Sequence, residues 1–488
     1  MAGIGVRLNK LYEKNTLITT LSGISYSMII TIAPMVMVIA AIWGMGYLMD
    51  LNSMEYYDRE LFSCTILYIF IFALINNAII NAVISRYMSD VIFRETYGQI
   101  MPCFYFGMIM TMVMGILPAI PFLWHEFFVG KVEPVFILLS FLGYIGLCLV
   151  FYVMMYLGIC KDYAKISLFY LIGMSVGFLL ALLLHFVFQM TTTYAMLTGL
   201  DVSFFVIATL EYALILSYFK ENDHRYTAVL SYFKKYWSLI ISNTLYILGL
   251  YVHNFVFWTT DMRMVVADTF VCAEPFDMAT FIALATNISA TVIFITSVEQ
   301  RFHFRYRKYS ETIIGGRLLD IDSAKDRMFR QLGVELINLV RTQFIISVTI
   351  FLLFIVILPQ MGISGLVMQI YPCVAAGYFV LFLLYGALIF LYYFNDLVGA
   401  FLVSAVFFVT DLVVSMMATN WNEIWYGAGV IAGAFAGWCV AYIRLRWVEK
   451  NMDRHIFCEG HLMEKGHGKR PEDLVWKRGR DSVKIAED

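Results

Sequence analysis

The chain contains 488 residues, of which 61% are hydrophobic and only 14% are charged, and its formal net charge is -2. Because an average soluble domain carries about 25% charged residues, this composition excludes an ordinary soluble protein. The apolar stretches are continuous, whereas the strands of a membrane barrel alternate apolar and polar residues. We therefore predict an all-α membrane protein, since helices satisfy every backbone group inside the bilayer.

Twelve apolar runs follow in chain order, and each can cross most of a bilayer core of about 30 Å. They lie at 17–49, 60–84, 102–124, 135–157, 165–189, 199–219, 236–258, 277–297, 341–358, 370–394, 400–418 and 426–446. We predict a polytopic protein with about twelve transmembrane helices. The first run is too long for the apolar region of a cleavable leader, so we expect none.

Lysine and arginine are distributed unequally between the loops that join these runs. Every second loop, starting with the N-terminal segment, is rich in them, whereas the other loops contain only Arg59, Lys131 and Arg263. Because basic loops tend to stay in the cytoplasm, we predict a multi-pass protein of the cytoplasmic (inner) membrane. Both termini and the long loop 298–340 are then cytoplasmic.

Two segments outside the predicted membrane helices have distinct compositions. In the loop 298–340, Ser323 and Asp326 have the spacing of a capping box and predict the start of an amphipathic helix leading into the ninth run. The tail 448–488 mixes charges and is poor in apolar residues, and we expect its part beyond about Gly460 to be loosely ordered.

Eight cysteines are present, and most lie within or beside the apolar runs. Only Cys272 lies clearly in an outer loop, where it has no cysteine partner. No Cys-x-x-Cys or Cys/His ligand spacing occurs, so we predict neither a disulfide nor a metal site. A G-x-x-x-x-G-K-[ST] sequence is absent too, which argues against an ATP-driven pump on this chain, and we predict no cofactor.

The first two runs contain polar or helix-breaking residues in positions that suit a transporter. Pro34 predicts a kink in the first helix, which is either a hinge beside a binding site or a plain structural kink. On the second helix, Asn77 and Asn81 share one face, which either lines an aqueous cavity or bonds to a neighbouring helix. Arg86 and Asp90 are spaced to pair; the pair is a cytoplasmic gate or a minor surface ion pair.

Few charged residues lie deep within the runs, and such residues are functional hypotheses by default. Glu211 lies in the sixth run and Asp411 in the eleventh. Each is either a protonation, cation or cargo site or a structural polar group bonded to another helix. A cation-coupled drug exporter is expected to carry a set of deep carboxylates in its N-terminal half, where only Glu211 is recognised.

Polar residues also mark the seventh and eighth runs. His253, Asn254 and Trp258 could stack on and hydrogen-bond to sugars, or they form an interface belt with satisfied polar groups. Asp277 suits the start of the eighth helix. Glu299 and Arg301 lie at its cytoplasmic end, as the Arg86 pair does on the second helix, so the second and eighth helices correspond if the chain consists of two halves.

Five motifs resemble those of the Pel exopolysaccharide transporter family, PelG, in order along nearly the whole chain. They are MAGIG at 1–5, SRYMSD at 85–90, PFDMATF at 275–281 with VEQRF at 298–302, YFND at 393–396, and DRHIF at 453–457. Phe276 and Gln300 depart from the family's usual Tyr and Thr, and the chain extends past the family's normal end. The resemblance adds Asp396, the last residue of the YFND motif, to the candidate sites.

The resemblance implies a flippase-like fold of the polysaccharide-transporter and multidrug-exporter superfamily, with two six-helix lobes around a central cavity. The lobes would be 1–219 and 236–447, joined by a cytoplasmic linker at 220–235. The implied function is export of a Pel-type amino-sugar polysaccharide, without enzymatic activity. The implied partners are a PelF-like cytosolic glycosyltransferase and PelD-like and PelE-like membrane proteins, and nucleic acid is not among them.

Three other functions remain open from the residues. One is a cation-coupled exporter or a flippase for lipid-linked sugars. Another is a membrane scaffold that holds the glycosyltransferase without transporting anything. The third, a membrane acyltransferase, needs a histidine paired with a polar partner in a catalytic tunnel, and the lone His185 and the peripheral His253 argue against it.

Overall fold

The computed structural model describes residues 17–94, 96–160, 162–288, 302–360, 362–363 and 365–453. The predictions for Glu299 and Arg301, and for the tail beyond 453, concern residues outside these ranges.

In the first half of the chain six long helices follow one another. They are α1 Leu17–Leu48, α2 Tyr56–Phe93, α3 Ile100–Phe128, α4 Pro134–Ile159, α5 Tyr163–Phe186 and α6 Thr192–Tyr218.

The second half begins with shorter elements and ends with four long helices. The shorter ones are α7 Ala228–Lys235, α8 Trp237–Gly249, α9 Val252–Phe257, the strands β1 Met264–Val266 and β2 Phe270–Cys272, α10 Glu274–Asn287 and α11 His303–Gly315. The long ones are α12 Leu318–Gln360, α13 Leu366–Tyr393, α14 Leu397–Ala418 and α15 Ala428–Asp453. The two strands pair as an antiparallel hairpin, with Val265 opposite Val271.

Nine helices in the described part of the chain are long and apolar enough to cross a membrane: α2 to α6 and α12 to α15. This confirms an all-α, polytopic membrane fold. The first, seventh and eighth predicted runs fall outside the nine. In α1 the apolar stretch that can be assessed is Ile32–Leu48, α8 is short, and the description of the eighth run is interrupted after 288. The count of twelve therefore stays a prediction.

The seventh run is not the single helix expected over 236–258. Helix α8 ends at Gly249 and α9 begins at Val252. The carbonyl of Leu250, exposed by the break, accepts a hydrogen bond from the Tyr378 hydroxyl at 3.4 Å. At Gly249 a Cβ atom would lie 2.4 Å from the Phe407 ring, so only glycine fits this crossing. Unlike the seventh run, the first run forms one helix, α1, which continues through Pro34. The kink and hinge expected at Pro34 stay predictions.

Helix α12 joins the predicted amphipathic segment and the ninth run into one helix of 43 residues. The predicted start at Ser323 and Asp326 is wrong, because the helix begins at Leu318 and both residues lie inside it. Asp320 instead supports the start: its carboxylate accepts a hydrogen bond from the Arg317 backbone N–H at 3.3 Å. The capping-box spacing therefore occurs inside a helix that begins five residues before Ser323.

The buried side chains form two hydrophobic clusters. The first cluster consists of buried residues of α1 to α7 together with Val266, Phe270 and Cys272 of the hairpin. The second cluster consists of buried residues of α8 to α15 together with Ile71 of α2. The hairpin therefore packs on the first cluster, although the chain on either side of it belongs to the second.

The hairpin also corrects the prediction that Cys272 has no cysteine partner. Its Sγ atom lies 2.9 Å from the Sγ atom of Cys64 on α2, and both side chains are buried.

We call the end of the helix bundle that carries the hairpin the hairpin end. The opposite end, which carries Arg86 and Lys235 where α2 meets α7, is called the basic end.

Asp396 holds the turn between α13 and α14 at the basic end. Its Oδ1 atom accepts a hydrogen bond from the Gly399 N–H at 3.0 Å and caps α14. The Arg444 guanidinium of α15 donates to both carboxylate oxygens, at 2.7 and 3.0 Å. Because Asp396 is buried, this bidentate pair ties three helices together.

We expect Asp396→Ala to lower the free energy of unfolding by about 3 kcal/mol, since removing one partner of a buried ion pair leaves the other charge uncompensated. The measurement is the unfolding midpoint of the purified protein in detergent micelles. The matched control is Glu311→Ala, which breaks the exposed Arg307–Glu311 pair and should change stability by less than about 1 kcal/mol. Equal effects of the two substitutions would contradict the role assigned to Asp396.

Candidate transport site

The predicted pair Arg86 and Asp90 forms at the basic end of α2. Arg86 Nε lies 3.5 Å from Asp90 Oδ1, and the side chains are 33% and 15% exposed. The Tyr232 hydroxyl of α7 donates to Asp90 Oδ2 at 3.2 Å. The Arg86 guanidinium lies 5.6 Å from the ring centroid of Tyr236, within the range of a cation–π interaction. The pair thus connects α2 to the segment predicted as the linker, and its role as a gate stays a prediction.

A cavity of about 280 Å³ lies beside this pair, between α2 and α7. Its lining includes Asp90, Arg94, Gln99, Arg225 and Tyr232. This volume and polarity suit several water molecules. The contact between α2 and α7 therefore combines this polar cavity with an apolar part, in which the Tyr87 and Tyr232 rings pack edge to face and Val229 is buried.

His253 and Asp411, which come from different predicted runs, meet inside the second cluster. His253 Nδ1 lies 3.2 Å from Asp411 Oδ2, and both side chains are completely buried. The Ser415 hydroxyl donates to Asp411 Oδ1 at 2.9 Å. Gly429 brings α15 close to this group, since a Cβ atom there would lie 1.9 Å from Ser415 Oγ. A small residue at a helix crossing is how membrane helices achieve such contact.

Asp277 is the centre of a second buried network. Asn254 Nδ2 donates to its Oδ1 atom at 2.7 Å, and Trp258 Nε1 donates to Oδ2 at 3.0 Å. The Ala273 N–H donates to Oδ2 at 2.9 Å. The expectation that Asp277 begins the helix is wrong by one turn, because α10 begins at Glu274. Asp277 still satisfies the N-terminal backbone, by reaching back from inside the helix.

The three proposed sugar contacts therefore lie inside the protein in this conformation. His253, Asn254 and Trp258 are all buried, and each bonds to Asp411 or Asp277. The alternative, an interface belt with satisfied polar groups, agrees with these bonds in its second part only, because the buried side chains do not form a belt at the surface. The description of His253 as peripheral is wrong, because its side chain is completely buried. A contact with sugar stays a prediction, and it requires these bonds to open.

The polar face of α2 bonds mainly to neighbouring helices. Asn77 Nδ2 donates to the carbonyl oxygens of Ala73 and of Cys148 on α4, at 3.0 and 3.2 Å. Asn243 of α8 donates to the Ala78 carbonyl at 2.7 Å, which joins α2 to the second half of the chain. For Asn77 the geometry favours the structural interpretation. Asn81 is only partly buried, and its Oδ1 atom has no hydrogen-bond partner in the described part of the chain.

The structure buries two further carboxylates that were not recognised from the sequence, and one of them, Asp201, lies deep within its helix. Asp201 and Glu126 are buried like Glu211, and among the described residues none of the six carboxylate oxygens has a hydrogen-bond partner. The statement that only Glu211 is a deep carboxylate in the N-terminal half is therefore wrong. An ionised carboxylate in such a position is costly, so each is expected to hold a proton or a cation.

Asp201 was missed because the sixth run was placed at 199–219, which puts this residue at its edge. Helix α6 begins at Thr192, so Asp201 lies nine residues, or about 14 Å, inside it. The threonines at 191–193 were the available signal, since threonine is favoured at helix starts. Glu126 belongs to the last turns of α3, beyond the predicted end of the third run.

The model of the family PelG, described as "Putative exopolysaccharide Exporter (EPS-E)", matches residues 1–457. This chain belongs to the PelG family. The match confirms the resemblance drawn from the five motifs. No curated protein matches the chain significantly.

Solved structures similar to this PelG-family chain are transporters. A MATE transporter in the bent conformation has a TM-score of 0.55 at 11% identity and covers 88% of this chain and 96% of its own. An outward-facing multidrug resistance MATE family transporter of the MOP superfamily has a TM-score of 0.55 at 10% identity, covering 88% and 95%. A MOP superfamily transporter from Pyrococcus furiosus Vc1 has a TM-score of 0.51 at 11% identity, and the match covers 88% of this chain and 96% of that transporter. At these identities the comparison shows a MATE-like fold.

In this PelG-family protein, we expect His253→Ala and Asp411→Ala each to destabilise the fold by about 3 kcal/mol, because each leaves a buried polar partner unpaired. The double variant should be less destabilised than the sum, by about 1–3 kcal/mol. Unfolding midpoints of the four proteins in one detergent give this coupling energy. Additive effects would show that the two side chains do not interact.

Proposed function

We propose that the protein exports a Pel-type amino-sugar exopolysaccharide across the cytoplasmic membrane. The observation that carries the proposal is the PelG family match over residues 1–457, on a chain with the fold of known transporters. In this proposal both termini are cytoplasmic, and a PelF-like glycosyltransferase delivers the polymer at the basic end. PelD-like and PelE-like membrane proteins are the further partners.

The proposed transporter has two lobes, 1–219 and 236–447, which are joined by the linker 220–235. The two buried clusters support this division, since they divide close to the linker. The Asn243–Ala78 bond and the hairpin are contacts between them. Movement of one lobe against the other would open the bundle at one end and close it at the other.

The hairpin end is closed by aromatic side chains from both halves of the chain. The Tyr68 ring of α2 stacks on the Trp258 ring, with centroids 5.3 Å apart and planes inclined by 2°. The Tyr68 hydroxyl donates to the Val271 carbonyl at 2.9 Å and accepts from the Val271 N–H at 3.0 Å. These contacts support a cycle in which the polymer is taken up from the basic end while the hairpin end is shut.

A second candidate, favoured by the unpaired acids of α6, is coupling of transport to protons or cations. Asp201 and Glu211 have no hydrogen-bond partners in the described part of the chain. A proton or cation bound there in one conformation and released in the other would supply the driving force. This mechanism is compatible with polysaccharide export and also serves the alternative of a cation-coupled flippase.

We expect Arg86→Ala to lower polymer secretion roughly tenfold, which corresponds to about 1.4 kcal/mol of barrier. The physical reason is loss of the ion pair that positions Asp90 for the Tyr232 hydroxyl of α7, and of the contact between Arg86 and the Tyr236 ring. Secreted amino-sugar polymer is measured in cells that lack the native gene, at matched membrane abundance. Arg307→Ala is the control, because its pair is spaced in the same way but is 73% and 62% exposed.

The charge-swapped variant Arg86→Asp with Asp90→Arg should restore part of the secretion. Secretion that survives gene deletion would overturn the export proposal. If secretion requires the gene but is normal in cells that carry Arg86→Ala, the export proposal stands and only the gating role of Arg86 is excluded. A scaffold is favoured if every transport-defective variant also loses binding to the glycosyltransferase, which pull-down from detergent extracts measures.

If the acids couple transport to a cation, Asp201→Asn and Glu211→Gln should each lower secretion roughly tenfold, about 1.4 kcal/mol in barrier. The neutral side chains keep the size of the acids but no longer gain and lose charge. Asp261→Asn, at an exposed acid before the hairpin, is the control. Normal secretion in cells that carry either variant, at matched abundance, would exclude coupling of transport to a cation through these residues, and the export proposal would stand.

A further inference from the structure

Two cysteines that are 208 residues apart in the chain meet at the hairpin end. Cys64 lies in the third turn of α2, and Cys272 is the last residue of β2. Their sulfur atoms are 2.9 Å apart, and the side chains are only 2% and 3% exposed. A sulfur–sulfur contact this close between buried side chains needs little movement to become a covalent bond.

The position of Cys272 makes such a bond consequential. It is followed by Ala273, whose N–H bonds to Asp277 in the buried network of α10. Cys64 belongs to the first cluster, whereas α10 belongs to the second. A bond between Cys64 and Cys272 would therefore connect the two clusters covalently, within one residue of the second cluster's helix.

We propose that Cys64 and Cys272 form a disulfide that locks the hairpin end of the transporter closed. Disulfides persist in oxidising compartments outside the cytoplasm. The unequal distribution of lysine and arginine predicts that the hairpin end faces such a compartment. The covalent bond does not depend on the proposed export function, whereas its consequence for transport does.

The bond forms by two exchanges with a disulfide-bearing oxidant, such as a thiol oxidoreductase of the envelope. The thiolate of one cysteine attacks the oxidant's disulfide, forms a mixed disulfide and releases one thiolate of the oxidant. The second cysteine, deprotonated, attacks the mixed disulfide and releases the other. Two protein thiols become one disulfide, and the oxidant's disulfide becomes two thiols.

Burial of both sulfur atoms determines when this exchange takes place. In the closed arrangement neither side chain is accessible to an oxidant or reductant. Exchange therefore requires the hairpin to lift from α2, either before the helices have packed or when the end opens. Once formed, the bond keeps the Tyr68 contacts with Trp258 and Val271 in place.

The covalent bond is tested on the full chain by differential alkylation. Membranes are collected with N-ethylmaleimide in denaturant, and the protein is then reduced and labelled with a second, isotopically heavy maleimide. We expect peptides containing Cys64 and Cys272 to carry the heavy label, and the unreduced digest to contain them cross-linked. Light label on both cysteines, even after treatment of the membranes with diamide, would overturn the proposal.

The lock is tested by amide hydrogen exchange of residues 264–272 in the purified protein. In protein whose bond has been shown by alkylation to be reduced, exchange in the hairpin should be at least about tenfold faster than in the oxidised protein, because opening no longer requires a covalent bond to break. Cys64→Ala should exchange rapidly with or without reductant, whereas Cys439→Ser should behave as the wild type. Equal hairpin exchange in the oxidised wild type and in wild type whose Cys64 and Cys272 are shown by alkylation to be reduced would exclude a lock.

Discussion

Polar groups inside a bilayer must find partners within the protein, and this constraint shapes both buried clusters. The acids of the second cluster satisfy it, whereas those of the first do not among the described residues. In the second, Asp277 and Asp411 receive hydrogen bonds from side chains on other helices. In the first, Asp201 and Glu211 are equally buried and accept none from the described residues. The satisfied acids hold helices in register, and the unsatisfied ones retain the capacity to bind a proton or a cation.

At the hairpin end of the protein, the hairpin holds the two clusters together. It leaves the second cluster after Trp258, packs Phe270 into the first, and returns to Asp277 within a few residues. The hydrogen bonds of Tyr68 to Val271 fix the hairpin on α2. Because α2 also bonds to α4 through Asn77 and to α8 at Ala78, one helix connects both halves of the protein.

Local patterns were readable from the sequence, and contacts between distant residues were not. The apolar runs located the long helices because about 20 residues of low polarity have few other stable arrangements in a membrane protein. The Arg86–Asp90 pair was predicted because four residues on one helix fix the geometry. The meeting of His253 with Asp411 depends on helix packing, which no short-range pattern encodes. The same holds for Cys64 and Cys272.

Errors in helix boundaries had a physical origin as well. The break after Gly249 carries no proline; it follows from a close crossing with Phe407 and from the Tyr378 hydroxyl, both distant in the chain. Asp201 was overlooked because α6 continues beyond the most apolar part of its sequence. Membrane helices extend into the interface, where hydropathy no longer marks their ends.

The length of α12 gives the molecule a mechanical property that its membrane helices alone would lack. Its 43 residues extend for about 65 Å, more than twice the thickness of the hydrocarbon core. Phe329, in the polar half, stacks on Phe394 at the turn before Asp396. A tilt of the lipid-embedded half of α12 would therefore strain the turn that Asp396 holds, so movement of this helix is mechanically coupled to the junction of α13 and α14.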